Sequence, residues 1–319
     1  MGIFLRPFYL FLCLLIASLA TTGCNKARLG SIAWNEFYGE KALAHVEKQV
    51  ALGPRPSGSE ASRKTQQYIA EQLKAAGLTV REQVFSVSTP TGAVQMKNII
   101  GEARGDSKVI LVLGAHYDTK LFDKEQFVGA NDGGAATGVL LEAARILGKK
   151  PPAATVWLVF FDGEEAMGSR FTATDGSYGS RYFVSELGKD KTNKRVGAAM
   201  ILDMIGDKDL TVTIPPESSQ RLVRAVFDAA EGLQVREKFG YSTSTISDDH
   251  TPFLEAQIPA VDLIDFEFGS KPGVNDYWHT PQDTMDKVSA ASLQVAGRVA
   301  LRAADEICWR LASGERFRW

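Results

Sequence analysis

Residues 159–167 read Val-Phe-Phe-Asp-Gly-Glu-Glu-Ala-Met: an apolar run ends, Gly163 permits a turn, and Glu164 and Glu165 stand side by side. Adjacent carboxylates repel each other, and inside a strand their side chains would point to opposite faces. Past a strand end the turn can aim both at one site, where a cation offsets the charge of one and leaves the other to exchange protons. Similar groups follow other apolar runs. His116 and Asp118 follow residues 108–115, Asp132 opens a helical stretch after Val-Gly-Ala-Asn, Asp203 stands near the end of 197–206, and His279 lies in a loop after 259–266. Of the four histidines, His116, His250 and His279 fall in these segments, whereas His45 falls in an N-terminal helix and is expected to be structural. Aspartate, glutamate and imidazole together suit Zn²⁺, and three protein ligands with an open position is the catalytic arrangement. Neither zinc-finger spacing nor His-Glu-x-x-His is present, so the ligands would come from separate loops. Taken singly, Asp132 reads as a helix cap, the glutamates as solvated surface and His279 as a satisfied loop histidine. Five strand ends carrying such groups point to a shared site.

The elements that must position these groups follow from periodicity. Residues 79–87 and 94–102 alternate as strands, while 108–116, 155–163, 197–206 and 259–266 are near-continuous apolar runs, as in strands covered on both faces. Helical patterns lie between them at 133–149, 178–188, 218–233 and 289–312. A helix to about Leu52, a Gly-Pro-Arg-Pro turn, a capping box of Ser57 with Glu60, and a helix ending at Gly77 precede the first strand. Alternating strand and helix predicts a single α/β domain with a mostly parallel, twisted central sheet flanked by helices. In such sheets ligands bind beyond the carboxyl ends of the strands, where the acidic and imidazole groups converge.

The chain has 319 residues, is 45% hydrophobic and carries a formal charge of −2, enough for one large core and not basic enough to suggest nucleic acid as a partner. The first 24 residues, MGIFLRPFYLFLCLLIASLATTGC, combine an early Arg6, a long apolar centre and small residues before a cysteine. They predict a lipoprotein-type signal over 1–23, lipidation of Cys24, a tether over 24–36 and the α/β domain over 37–319. The expected location is a bacterial cell envelope, periplasmic or extracytoplasmic, with the protein held at a membrane by its lipid. Cys13 leaves with the signal, so Cys308 remains alone in an amphipathic C-terminal stretch and is expected in the core. A cysteine nucleophile is not expected.

The runs GAHYDTK, VGANDGGAATG, FFDGEEA, SYGSR, LDMIG, SDDHTPF and YWHTPQD occur in that order, preceded by LGPRPSGS and MKNIIGE. Over residues 36–310 the chain thereby resembles the glutaminyl-peptide cyclotransferase branch of the zinc-dependent exopeptidases. The resemblance implies the zinc-exopeptidase-like α/β fold and zinc ligands Asp132, Glu165 and His279. It implies Glu164 as general acid/base, Asp203 and Asp248 as hydrogen-bonding acids beside it, and Trp278 as a pocket wall. The activity implied is closure of an N-terminal glutamine to pyroglutamate with release of ammonia, on peptides or proteins with a free N-terminus, by a monomer with one zinc per chain. A di-zinc aminopeptidase is the alternative, its second metal held by His116, Asp132 and Asp203; GANDGGAATG reads closer to the aminopeptidase form. Trp278 before His279, the Asp-Asp-His run followed by Pro252 and Phe253, and TDGSYGSR favour the cyclase. Where cyclases place a tryptophan between the glutamate pair and YGSR, this chain offers Phe171 as the substrate-binding candidate. An inactive lipid-anchored binding domain is a third reading, and no ligand or base is missing to support it.

Overall fold

In the computed structural model, which describes residues 1–2, 31–189 and 191–317, the four continuous apolar runs form the middle of one eight-stranded sheet. They are β3 (Ser107–His116), β4 (Ala154–Phe161), β5 (Val196–Asp203) and β8 (Ala260–Ile264). They lie in the order β4-β3-β5-β8 and run parallel throughout. Leu111, Leu113, Leu158, Phe160, Met200 and Leu202 face one core, and Ile110, Val112, Trp157, Val159, Phe161 and Ile201 face the other. Each strand therefore needs apolar side chains on both faces, which removes the polar–apolar alternation from the sequence.

Helices cover both faces because each presents an apolar stripe. The first core is closed by α1 (Gly39–Val50), α2 (Glu60–Ala75), α3 (Gly134–Leu147), α5 (Gln220–Gly232) and α7 (Ala290–Ala312). The second is closed by α4 (Tyr178–Lys189) through Phe183 and Leu187, and by α6 (Thr251–Glu255) through Phe253. Cys308 is fully buried in the first core. His45, on α1, bonds the Tyr68 hydroxyl at 2.6 Å, a structural tie between α1 and α2.

The sheet is extended at both edges. The hairpin of β1 (Thr79–Thr89) and β2 (Gly92–Ala103) joins antiparallel to β4, with Ile99 opposite Phe160. Beyond β8 come β6 (Val212–Ile214) and β7 (Phe239–Tyr241), whose three residues each are too few for a periodic signal. Two expectations are corrected. Ser59, not Ser57, caps α2, its hydroxyl accepting the Ser62 N–H at 3.0 Å. Ser57 is turned inward and donates to Asp162 at 2.6 Å. Residues 31–36 of the expected tether pack on the domain: Ile32 is buried and Trp34–Glu36 forms a 3₁₀ turn. Residues 3–23 of the expected signal, Cys24 and the tether to residue 30 lie outside the described residues. Among the described residues no helix is long and apolar enough to cross a membrane.

Candidate active site

The parallel strands end level with one another, and each end delivers a charged side chain. His116 ends β3 opposite Phe161, the end of β4, and Asp203 ends β5 opposite Ile264 of β8. After β4 the chain turns at Gly163, whose φ of +72° suits glycine. A Cβ there would also meet the Met96 sulfur at 2.6 Å. The turn is closed by the start of α4, where the Ser177 and Tyr178 amides donate to the Glu164 and Gly163 carbonyls at 2.8 and 2.7 Å. Asp118 accepts the amides of Glu164 and Glu165 at 3.2 and 3.3 Å. These bonds re-aim two neighbouring carboxylates that a strand would have separated.

Three triads of possible ligands occur among the described residues: the buried Asp248, His250 and Asp262, and two that share Asp132. Asp132, Glu165 and His279 offer donor atoms within 4.8 Å of one another, as do His116, Asp132 and Asp203. His279 Nε2 lies 3.0 Å from Glu165 Oε1 and 3.4 Å from Asp132 Oδ2. His116 Nε2 lies 3.2 Å from both Asp132 Oδ1 and Asp203 Oδ1, and its Nδ1 is 3.5 Å from Asp118. Asp132 is held by Asp283, which accepts the Asn131 and Asp132 amides at 2.8 and 3.0 Å. Gly133, at φ +77°, then starts α3; a Cβ there would press on the His116 ring at 3.1 Å. Asp132 Oδ2 is buried and makes no hydrogen bond. With two carboxylates and one imidazole converging on an open pocket, the triad of Asp132, Glu165 and His279 fits a catalytic zinc.

That pocket, about 510 Å³, is lined by Glu164, Glu165, Asp132, His279, Asp203 and Asp248, with Phe171, Phe266 and Trp278 as aromatic walls. Trp278 stacks on His279 with ring centroids 4.1 Å apart and leans on Phe266 at 5.1 Å. Of the residues singled out from sequence, Asp132, Glu164, Glu165, Phe171, Asp203, Asp248, Trp278 and His279 line this one cavity, whereas His116 is buried beside it against Asp132 and Asp203, and Cys24 lies outside the described residues.

Burial and crowding of acids set the electrostatics. Burial, then the Glu165 charge, raises the Glu164 pKa well above the usual carboxylate range. Burial and Asp132 push Glu165 up to about 7, and burial and Asp203 do the same for Asp248. Burial opposes the His279 imidazolium, but Glu165 and Asp132 outweigh it and push its pKa up to about 10. His250, fully buried, is held down at about 4 and is neutral.

Several supporting residues escaped the sequence reading. Arg55, read only as part of a turn, is fully buried and donates to the Tyr117 and Gly129 carbonyls at 2.9 and 2.7 Å, bracing the loop before Asp132. Asp162, just ahead of the glutamate turn, accepts from Ser57, Gln66 and the Lys97 amide. Asp283 sits within the quoted YWHTPQD run and could have been found there. Asp249 sits within the quoted SDDHTPF run and could likewise have been found there, whereas Asp262, buried within β8, reads only as one polar residue in an apolar run.

Comparison with known proteins agrees with this geometry. Residues 98–304 match Peptidase family M28. A glutaminyl-peptide cyclotransferase of Boiga dendrophila is 30% identical over 283 residues, covering 77% of this chain and 75% of that one. Among solved structures, the glutaminyl cyclase of an Acidobacteriales bacterium superposes with a TM-score of 0.80 at 34% identity, covering 87% of this chain and 95% of that one. A Zn-dependent exopeptidase from Parabacteroides distasonis superposes at 0.76 with 28% identity, covering 86% and 98%. Motif order, fold and site geometry thus lead to one statement: the chain belongs to peptidase family M28, in the glutaminyl-peptide cyclotransferase branch of the zinc-dependent exopeptidases.

Proposed function

We propose that this chain is a zinc-dependent glutaminyl-peptide cyclotransferase that converts N-terminal glutamine to pyroglutamate. The observation that carries the reading is a single pocket in which Glu164 stands beside the Asp132–Glu165–His279 triad under an aromatic wall, in a fold whose similar solved structures include glutaminyl cyclases. Asp132, Glu165 and His279 would hold the metal, and zinc bound there supplies Lewis acidity at the γ-carboxamide oxygen. Glu164 takes a proton as the substrate's α-amine attacks the γ-carboxamide carbon, and returns it as the bond to the leaving nitrogen breaks and ammonia departs. Its pKa, raised by burial and the Glu165 charge, makes it a stronger base than an ordinary carboxylate. Asp203 and Asp248, in the same pocket, place further acids beside Glu164. Trp278 and Phe171 wall the glutamine side chain, which holds the attacking amine and the carboxamide near each other.

One metal per chain is the reading supported by burial. His116 is 1% exposed and does not line the pocket, its Nε2 lying 3.2 Å from Asp132 and Asp203. His279 is a quarter exposed and opens on the pocket. The Thr21-Thr22-Gly23-Cys24 box supports a lipid on Cys24 and a place on a bacterial envelope membrane.

The test is to incubate the zinc-loaded protein with a Gln-initiated peptide and an unblocked Leu-initiated peptide. Ammonia release with no chain shortening is expected from the first and no reaction from the second. Free glutamine or free leucine would instead make the enzyme an aminopeptidase, and two zinc ions per chain would agree with that outcome. No turnover of either peptide would leave a binding domain.

A further inference from the structure

The chain joins the domain at the end of the sheet opposite the active site, and that end is basic. The Ser31 hydroxyl and the Ile32 amide donate to one Asp305 oxygen at 2.8 and 2.9 Å, and the Ala153 amide, just ahead of β4, donates to the Ser31 hydroxyl at 3.3 Å. The parallel strands all start at one end of the sheet, in a stagger: β4 starts beside Ser107, β5 opposite Ile110 and β8 opposite Ala199. The segments feeding β3, β4, β5 and β8 therefore share one face with Ser31, a full strand length from His116 and Asp203.

Exposed Arg104, Lys108, Lys150, Lys194, Arg195 and Arg316 rim this face, and none forms an ion pair among the described residues. Arg195 donates to the Lys108 carbonyl at 3.0 Å. With Lys194 and Arg316 it also walls a groove of about 540 Å³. Most acids nearby are already answered: Glu315 by Arg310, Glu36 by Lys149 and Glu186 by Lys189. Asp106 is exposed here without a cation. An unanswered cluster of positive charge is repulsive in itself and is relieved by an anionic surface.

We propose that this face docks on anionic lipid headgroups, with the active site turned away from the membrane. The choice of lipid over another polyanion comes from the length of chain outside the fold, and so rests on the reading of Cys24 as the acylated residue. Seven peptide units separate Cys24 from Ser31, a reach of at most about 25 Å. An anchor that short holds the basic face close to the headgroups, where attraction decays over roughly 8 Å at physiological salt.

The test uses the full chain carrying Cys24→Ser, so that no acyl chain is added, mixed with vesicles of phosphatidylcholine alone or of phosphatidylcholine with phosphatidylglycerol. Stronger sedimentation with the anionic vesicles is expected, and added salt should abolish the difference. Each basic residue near such a surface contributes about fivefold in binding. The triple variant Lys150→Glu, Lys194→Glu, Arg195→Glu should therefore lose at least about a hundredfold in its preference for anionic vesicles, with unchanged ammonia release from a soluble Gln peptide. Equal binding of the parent to both vesicles, or a triple variant that keeps the preference, overturns the proposal. Tighter binding to heparin or DNA than to anionic vesicles overturns it as well. Acylation is read separately, as labelled palmitate incorporated into the unsubstituted chain. Its absence removes the anchor and not the vesicle preference.

Discussion

The two ends of the same four strands treat charge in opposite ways. At the carboxyl ends, His116, Asp118, Asp132, Glu165, Asp203 and Asp248 are all buried and lie against one another. At the amino ends the charged groups without an ion pair are exposed and, apart from Asp106, mostly basic. Left-handed backbone occurs at both ends: Lys191 and Gln257 mark exposed turns, whereas Met204 is fully buried and His279 carries a metal-ligand candidate. A positive φ alone therefore does not mark function; at His279 it coincides with a place in the ligand triad. Apart from Asp262 in β8 the middles of these strands are apolar, so the sheet separates the chemistry at one end from the attachment at the other. Substitutions at the carboxyl end should change turnover; those at the amino end should leave it alone.

The most severe test of that contrast is Glu164→Gln. The change keeps size and hydrogen bonding while removing the proton exchange, so kcat should fall by about 10²–10⁴ with zinc still bound. Metal analysis of the purified variant decides the assignment, because loss of zinc would mean that Glu164 is the ligand and Glu165 the base. Next in size is Asp283→Ala, which touches neither substrate nor metal. It frees the Asn131 and Asp132 amides, and loss of such an orienting partner costs about 10–100-fold in metal affinity or activity. Zinc titration against a competing chelator should show the drop, and excess zinc should restore part of the rate. A smaller effect is expected from Phe171→Ala. Phe171 is 40% exposed on the pocket rim, so KM for Gln peptides should rise about 3- to 10-fold, as for one lost partial apolar contact, with kcat little changed. Phe171→Trp should recover or improve KM.

How far the site could be seen in sequence depends on how its parts are built. The central strands were legible because burial on both faces writes itself as an unbroken apolar run. The ligand candidates were legible because each follows such a run within a few residues. The supports were not. Arg55 braces the loop before Asp132 through carbonyls of residues more than sixty positions away, and a long-range bond to backbone leaves no local pattern. Asp162 reads as one more polar residue ending a strand; only packing shows it receiving Ser57, Gln66 and the Lys97 amide. The capping box failed for a related reason, since Ser57 and Ser59 both precede Glu60 and only the fold shows which hydroxyl is needed inside. β6 and β7 were missed because three residues carry no period.

Asp162 also supplies the mildest prediction, on stability rather than turnover. Burial, and then the Asp118 charge, push its pKa up to about 7 in the folded protein, against about 4 in the unfolded chain. The folded state therefore holds the proton more tightly than the unfolded state. Its contribution to stability is complete below about pH 4 and is lost as pH rises through about 7. Asp162→Asn keeps an oxygen for the Lys97 amide and Gln66 and an amide that can donate to Ser57, while having no proton to lose. In metal-free protein, the fall in Tm between about pH 5 and pH 8 should be smaller in the variant by about 3 °C or more, the worth of one pKa unit in a domain of this size. Equal pH dependence in the two proteins would show that Asp162 is ionised throughout, with its three donors outweighing its burial. The carboxyl end would then hold a fixed buried negative charge beside its ligand candidates.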